Sequence, residues 1–321
     1  MQTLLNQVKE IFDNEQFIFS PEHLYQPIDY TLRLGGKRIR PLLLLAANQM
    51  FGGDLAQVRN AALGIETFHN FTLLHDDLMD KSPLRRGQPT VYRKWDENTA
   101  ILSGDTMFAL AWRYFLRQPH ARLHDILNCF NETAIQVCEG QQYDMDFEQR
   151  QNVTLDEYML MIRYKTAVLL AAALKIGALY ASAPDADIEN LYQFGIHLGL
   201  AFQLQDDLLD AFGNTDTFGK QTGQDIRDNK KTYLILTALQ SAPQPLRDEL
   251  TALFSSTPAD TNPKVQRVLQ IYSDLGIRSQ VEQAIDQQFL QAASCLDQIQ
   301  VPDHAKAPLR DLANTLSGRK K

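Results

Sequence analysis

The chain has 321 residues, of which 44% are hydrophobic, so it can bury a sizeable core. Its formal net charge of −8 argues against a general affinity for nucleic acid or an anionic membrane, so an anionic ligand would need local cations or metal. Three scattered cysteines, no signal-peptide pattern at the amino terminus and only short apolar runs favour a soluble, cytoplasmic protein without an integral membrane segment.

Apolar residues recur every three or four positions along nearly the whole chain, which is typical of helices, and no alternating pattern indicates β-hairpins. Ser20 and Pro21 predict a helix start, with the serine as N-cap and the proline as the first helical residue. Asp54 follows a glycine pair and is predicted to cap a long helix that runs to about Asp80.

The helical pattern continues through the middle of the chain. Thr154 and Glu157 have the spacing of a capping box and predict an apolar helix through about Tyr180. A further helix, after Pro184, is predicted to run to about Phe212. We expect roughly ten to thirteen helices in an all-α fold, a single helical bundle around a central cavity that forms one domain over residues 1–321.

Two matching DDxxD motifs, at residues 76–80 and 206–210, are the strongest chemical signal in the sequence. Residues four apart lie on one helix face about 6 Å from each other, so Asp76 and Asp80 should point the same way. The same holds for Asp206 and Asp210. Two such faces opposed across a cavity would repel each other unless cations lay between them, and hard carboxylate oxygens suit Mg²⁺.

Cations close to these motifs in sequence form the second signal. Lys165 lies inside an apolar helix, where a lysine is costly unless it has a partner. Arginine binds phosphate oxygens through two nitrogens and lysine acts as a point charge, so such a set could hold two diphosphates. The cations in question are Lys37, Arg38, Arg40, Arg85, Arg86, Lys165, Lys220 and Lys230.

The order of these motifs resembles that of the trans-isoprenyl diphosphate synthases, the polyprenyl synthetase family. GGKRIRP, DDLMD with RRG, a Lys-Thr pair, FQLQDDLLD and a Gly-Lys loop follow one another from about Gly35 to Lys230. The resemblance implies the isoprenoid synthase fold, a homodimer and three Mg²⁺ ions per active site. It also implies that isopentenyl diphosphate is condensed with an allylic diphosphate, which would be the dimethylallyl, geranyl or farnesyl compound.

The resemblance assigns a role to each matching position. Direct metal ligands would be Asp76, Asp80 and Asp206, supported by Asp77, Asp207 and Asp210. Allylic-diphosphate contacts would be Arg85, Lys165, Thr166, Gln203, Lys220 and Lys230, of which Lys165, Thr166 and Gln203 would also steady the carbocation. Isopentenyl-diphosphate contacts would be Gly36, Lys37, Arg40, His69 and Arg86, while Gln141 and Asp144 match a cavity-facing stretch. Gln224 departs from the family's usual Gly-Gly-Asp and puts in doubt only the path of that loop.

Phe71 is the residue on which a prediction of product length depends. It lies five residues before Asp76, about 7.5 Å along a helix axis, where its ring would act as a floor for the growing chain. Thr72 is small and adds no second aromatic ring. In this family the combination resembles synthases that stop at geranylgeranyl diphosphate, with farnesyl diphosphate as the alternative, while core packing remains a competing explanation for Phe71.

Other functions remain open at this point. A terpene cyclase would share the first acidic motif, but it would not need Lys37, Arg40 and Arg86. A non-catalytic subunit of a heteromeric synthase would normally lack one DDxxD motif, and both are intact here. His69 with His75 and Asp76 could belong to a metal phosphohydrolase, although that class gives no reason for a second DDxxD.

Overall fold

The computed structural model describes residues 2–213 and 222–318, which are almost entirely helical. This confirms the all-α prediction. A short antiparallel ribbon, β1 (Leu84–Arg85) with β2 (Gln88–Pro89), was not predicted. The helices that precede residue 120 are α1 (Gln2–Asp13), α2 (Glu22–Arg33), α3 (Ile39–Met50), α4 (Leu55–Met79), α5 (Val91–Lys94) and α6 (Glu97–Leu116).

The rest of the described chain is also helical, and one turn of it, Arg163–Ala167, is a π-helix between two α-helices. Sixteen α-helices occur within the described ranges, more than predicted, because very short ones carry too few residues to show a period. The remaining helices are α7 (Leu123–Gln149), α8 (Leu155–Ile162), α9 (Val168–Tyr180), α10 (Asp185–Phe212), α11 (Gln224–Arg227), α12 (Tyr233–Ser241), α13 (Gln244–Leu253), α14 (Asn262–Asp274), α15 (Ile277–Gln298) and α16 (Asp303–Ser317).

Two of the three predicted helix caps are confirmed. The Asp54 side chain accepts a hydrogen bond from the Ala56 N–H at the start of α4. Thr154 and Glu157 form the predicted capping box at the start of α8. The prediction for Ser20 was wrong, since Pro21 takes an extended conformation (ψ 137°) and itself occupies the N-cap position of α2.

The chain divides into two compact units. The first comprises Met1–Asn131, Ala172–Leu191 and Gln300–Leu309. Within it α4 packs most extensively against α6, and aromatic rings fill the core between and beside them. Phe130 lies with its ring centroid 5.2 Å from that of Phe68 and 4.6 Å from that of Phe115. The end of α4, with the first acidic motif, is thereby anchored in an apolar core.

The second unit comprises Glu132–Ala171, Tyr192–Ile299 and Arg310–Lys321. It contains the second acidic motif at the end of α10, where Leu204 and Leu208 on the same helix are buried. Phe194 and Tyr272 are among its largest fully buried side chains. None of the helices in the described ranges combines the length and the hydrophobicity required to cross a lipid bilayer.

Candidate active site

Arg85 links the ribbon to the first acidic motif. Its Nε donates to Oδ2 of Asp77 at 2.7 Å, and its Nη2 lies 3.6 Å from Oδ2 of Asp76. Burial raises the pKa of Asp77, and the charge and hydrogen bond of Arg85 oppose that rise. The other buried oxygen of Asp77, Oδ1, has no hydrogen-bond partner in the part of the chain that the structure describes.

The loop before α3 depends on glycine. Gly36 has a φ of +128°, and a Cβ on it would lie 2.7 Å from the guanidinium carbon of Arg86. That guanidinium donates through Nη1 to the carbonyl oxygen of Gly35. Lys37, the next residue, is exposed. The structure therefore brings Gly36 and Arg86 together, as the resemblance implies for one binding site.

Arg40 and His69 meet where α3 and α4 pack together, and Arg40 Nη1 lies 2.9 Å from Nε2 of His69. Burial and the charges of Arg40, Arg86 and Arg85 hold the pKa of His69 well below its usual range, so His69 is neutral and Nε2 accepts this hydrogen bond. Burial lowers the pKa of Arg40 to about 10. This value is still well above neutral pH, so Arg40 remains cationic there.

Glu66, one turn before His69 on α4, was missed by the sequence reasoning. It is only 3% exposed, and one of its oxygens lies 3.3 Å from Nδ2 of Asn70. Burial raises its pKa, while the charges of Arg40 and Arg86 oppose that rise. A buried acid in an otherwise apolar helix is costly unless cations lie nearby, and that is the signal that could have identified it.

Phe71 belongs to an aromatic cluster on α4 and α6. Its ring stacks on Phe108 with centroids 5.4 Å apart, and it meets the ring of His75 edge-on at 4.8 Å. The Thr72 hydroxyl donates its hydrogen to the carbonyl oxygen of His69, on the same helix, at 2.8 Å. Phe108 was not predicted, because it lies far from the motifs in sequence.

Lys165 lies in the π-helical turn and is paired with Asp144 of α7, with Nζ 2.5 Å from Oδ2. Burial alone would raise the pKa of Asp144, but the charges of Lys165 and Lys230 outweigh it and lower that pKa. A Cβ at Gly140 would collide with the backbone of Lys165, so α7 and the π-turn approach closely only because that residue is glycine. Lys165 is half-buried, and the partner that the sequence led us to expect is therefore Asp144.

Four side chains form the Asp207 network: Tyr158, Thr166, Gln203 and Asp207. Thr166 Oγ1 donates to Oε1 of Gln203 at 3.1 Å, and Gln203 Nε2 donates to Oδ1 of Asp207 at 3.2 Å. The Tyr158 hydroxyl donates to Oδ2 of the same carboxylate. Burial raises the pKa of Asp207 to about 6 despite these donors. Tyr158 was missed, because its position in an apolar helix looks like ordinary core.

Asp210 accepts hydrogen bonds at the start of α11, from the Gln224 N–H at 3.2 Å and the Asp225 N–H at 3.0 Å. Burial raises the pKa of Asp225 to about 7, with Lys230 opposing the rise. The Lys230 N–H donates to the Asp225 carbonyl oxygen, so this loop holds Lys230 beside the acidic motif. Lys220, the remaining predicted cation, lies outside the described residues.

Each acidic motif, considered by itself, offers donors of the type that a hard divalent cation prefers. All six side chains are carboxylates, the donors that Mg²⁺ prefers. The buried Oδ1 of Asp77 has no protein donor within the described ranges. A nearby cation would offset the energetic cost of burying this oxygen without a hydrogen bond. Asp76, Asp77, Asp207 and Asp210 also have protein partners. Among residues 2–213 and 222–318, no three His, Cys, Asp or Glu side chains form a ready-made metal site.

A family model and a curated relative each match this chain over most of its length. The family model described as polyprenyl synthetase matches residues 21–272. The geranylfarnesyl diphosphate synthase of Natronomonas pharaonis is 38% identical over 287 residues, which is 84% of this chain and 82% of that protein.

Solved structures agree with this match. A crystal structure of a geranylgeranyl pyrophosphate synthase is 41% identical with a TM-score of 0.92, covering 100% of this chain and 98% of the other. A polyprenyl synthase from Caulobacter crescentus CB15, complexed with calcium and isoprenyl diphosphate, is 28% identical with a TM-score of 0.87, covering 100% and 96%. These matches confirm the resemblance, and the chain belongs to the polyprenyl synthetase family of trans-isoprenyl diphosphate synthases.

Proposed function

We propose that this prenyltransferase condenses isopentenyl diphosphate with an allylic diphosphate in a Mg²⁺-dependent reaction that ends at geranylgeranyl diphosphate. The observation that carries the proposal is the charge arrangement around two intact DDxxD motifs. Arg85 contacts the first motif at 2.7 Å, and the Asp207 network joins Gln203 and Thr166 to the second. Charged groups fixed in this way on otherwise apolar helices would stabilise the negative charge that develops on a departing diphosphate.

Magnesium would be held by Asp76, Asp80 and Asp206, with Asp77, Asp207 and Asp210 positioning them. When bound, Mg²⁺ stabilises the negative charge that develops on the departing diphosphate. A calcium ion accompanies isoprenyl diphosphate in the related Caulobacter crescentus structure, which supports a divalent cation here. The family resemblance supports three ions per site.

The chain's own residues would bind and orient the two substrates. Arg40, Arg86, Lys37 and neutral His69 would hold isopentenyl diphosphate at the loop that Gly36 permits. The allylic diphosphate would be held by Arg85, Lys165 and Lys230, together with Lys220. Because Lys165 is paired with Asp144, its ammonium is oriented before substrate arrives.

The allylic cation needs polar oxygens beside it and no free water. Thr166 and the Gln203 amide would face the cation, while the aromatic cluster around Phe71 would line the space for the growing chain. The proton lost after addition would pass to the released diphosphate. Phe71 supports a twenty-carbon product, and the family includes geranylfarnesyl synthases, so the test must resolve chain lengths.

The remaining expectations stay proposals. We propose one polyprenyl synthetase domain over residues 1–321, because the family model matches one continuous range, residues 21–272. We also propose a homodimer and a cytoplasmic location. All three agree with the family assignment.

Incubation with isopentenyl diphosphate, Mg²⁺ and each allylic starter in turn tests the proposal, with chain lengths measured by chromatography and mass spectrometry. The expected product is geranylgeranyl diphosphate with dimethylallyl, geranyl or farnesyl diphosphate as starter. A cyclic hydrocarbon would instead indicate a terpene cyclase. No product from the isolated chain, with activity only beside a second protein, would indicate a non-catalytic subunit.

A further inference from the structure

Tyr158 lies on α8 and is buried, with 2% of its surface exposed. Its hydroxyl donates to Oδ2 of Asp207, which lies 49 residues away in sequence on α10. Asp207 is itself 6% exposed. A buried carboxylate is costly unless donors satisfy it, so this hydroxyl is part of what keeps Asp207 in place.

Donors occupy both oxygens of Asp207. Oδ2 accepts from Tyr158, and Oδ1 accepts from Nε2 of Gln203 at 3.2 Å. The backbone N–H of Tyr233 also donates to this carboxylate. A carboxylate held from several directions has little freedom to rotate, so it presents a fixed acceptor to Gln203.

This fixed acceptor determines which way the Gln203 amide points. An ionised carboxylate can accept but cannot donate, so the NH₂ end of the amide must face Asp207. The carbonyl oxygen Oε1 is then the end that lies 3.1 Å from Oγ1 of Thr166. Reversal of the amide would place two acceptors against each other at Asp207 and would turn the NH₂ group toward Thr166.

We propose that Tyr158 is a positioning residue, which acts through Asp207 to fix the Gln203 amide so that its carbonyl oxygen is available to the allylic cation. The inference rests on the proposed function, because it assigns Gln203 a role in that reaction. Tyr158 does not touch the substrate in this account. Removal of its hydroxyl should therefore slow the chemical step without weakening the binding of isopentenyl diphosphate, whose expected contacts do not include Gln203.

The test compares Tyr158→Phe with Tyr180→Phe. Tyr180 is also 2% exposed, but its hydroxyl has no hydrogen-bond partner within the described residues, so it controls for loss of a buried hydroxyl. In Tyr158→Phe, kcat should fall roughly tenfold to a hundredfold, as expected for loss of one hydrogen bond to a charged group. The KM for isopentenyl diphosphate should stay within about twofold of wild type in each variant.

A second measurement separates positioning from general structural damage. Tyr158→Phe is combined with Gln203→Ala, and the double variant should lose no more than about twofold in kcat beyond Gln203→Ala alone. A full additional loss there, or an unchanged kcat in Tyr158→Phe, would overturn the inference. Because wild type and Tyr180→Phe are measured in the same assay, their activity upholds the proposed function whatever Tyr158→Phe shows.

Discussion

Individual cations around the two motifs contact different partners, and this predicts different kinetic effects. Arg40 contacts neutral His69 and Arg86 packs over Gly36, whereas Lys165 is paired with Asp144. Arg40→Ala or Arg86→Ala should raise the KM for isopentenyl diphosphate by roughly tenfold to a hundredfold, the loss of one charge-assisted contact. Lys165→Ala should mainly raise the KM for the allylic substrate.

Steady-state kinetics with each substrate varied in turn checks this division of the cations. Arg278→Ala removes an arginine whose Nε pairs with Glu282 one turn away on α15, and it should change neither KM. Equal shifts for both substrates in all three site variants would show that the two diphosphate sites are wrongly divided.

Phe71 tests the prediction of chain length at a single residue. Its ring stacks on Phe108 and fills the aromatic cluster. Phe71→Ala should remove the floor and yield products longer than geranylgeranyl diphosphate, with total turnover roughly preserved because the acidic motif is untouched. Chromatography of the products decides the matter, with Phe19→Ala, an exposed phenylalanine, as control. An unchanged product distribution would mean that Phe71 is core packing only.

At the scale of helices, caps can be read from sequence because they depend on neighbouring residues. Asp54 and the Thr154–Glu157 box were predicted and are observed. Thr154→Ala should lower the free energy of unfolding by about 1 kcal/mol, since a helix N–H loses its acceptor. Chemical denaturation measures this. Thr251→Ala, which removes a hydroxyl that donates to the Arg247 carbonyl oxygen of its own helix, should have a smaller effect. Equal losses would contradict the capping role.

Features set by packing between distant segments could not be predicted. The π-turn at Arg163–Ala167 leaves no periodic signal of its own, and its close packing against Gly140 joins residues far apart in sequence. The β-ribbon has only two residues in each strand. Arg86 adopts a positive φ of 53°, which is rarely foreseen for a residue other than glycine.

The candidate site shows the same division between local and long-range information. Motif spacing predicted Asp76, Asp206 and the cations, because these residues bear recognisable charges at fixed offsets. Tyr158 was missed because its partner lies on another helix. Glu66 was missed because it is distinguished by its burial and by the charges of Arg40 and Arg86, which lie elsewhere in the chain. A residue that positions another side chain need not belong to a sequence motif, so it is identified from its contacts in the folded structure.

At the scale of the whole molecule, the proposed homodimer can be tested directly. Leu102 and Leu116 of α6 are 59% and 56% exposed, and we propose that a second copy of the chain covers them. Sedimentation at micromolar concentration should show a dimer, and Leu102→Glu with Leu116→Glu should convert it to a monomer. Leu290→Glu, at a leucine 65% exposed on α15, is the matched control. A fully active wild-type monomer would refute the proposal.

The acidic motifs belong to different compact units, so a reaction that uses both depends on the whole chain. If both motifs act on one reaction through Mg²⁺, loss of either should be as damaging as loss of the other. A chain that used the first motif alone would tolerate loss of the second. The two single substitutions therefore distinguish these accounts.

The most direct measurement is the initial rate of prenyl diphosphate formation with Mg²⁺ for wild type, Asp76→Ala and Asp206→Ala, with folding checked by circular dichroism. Each variant should lose at least roughly a thousandfold in kcat while remaining helical, because each loses charge stabilisation of the departing diphosphate. Asp248→Ala, at an exposed aspartate on α13, should match wild type. Near-normal rates in either Asp76→Ala or Asp206→Ala would contradict the proposal that both motifs serve one magnesium-dependent reaction.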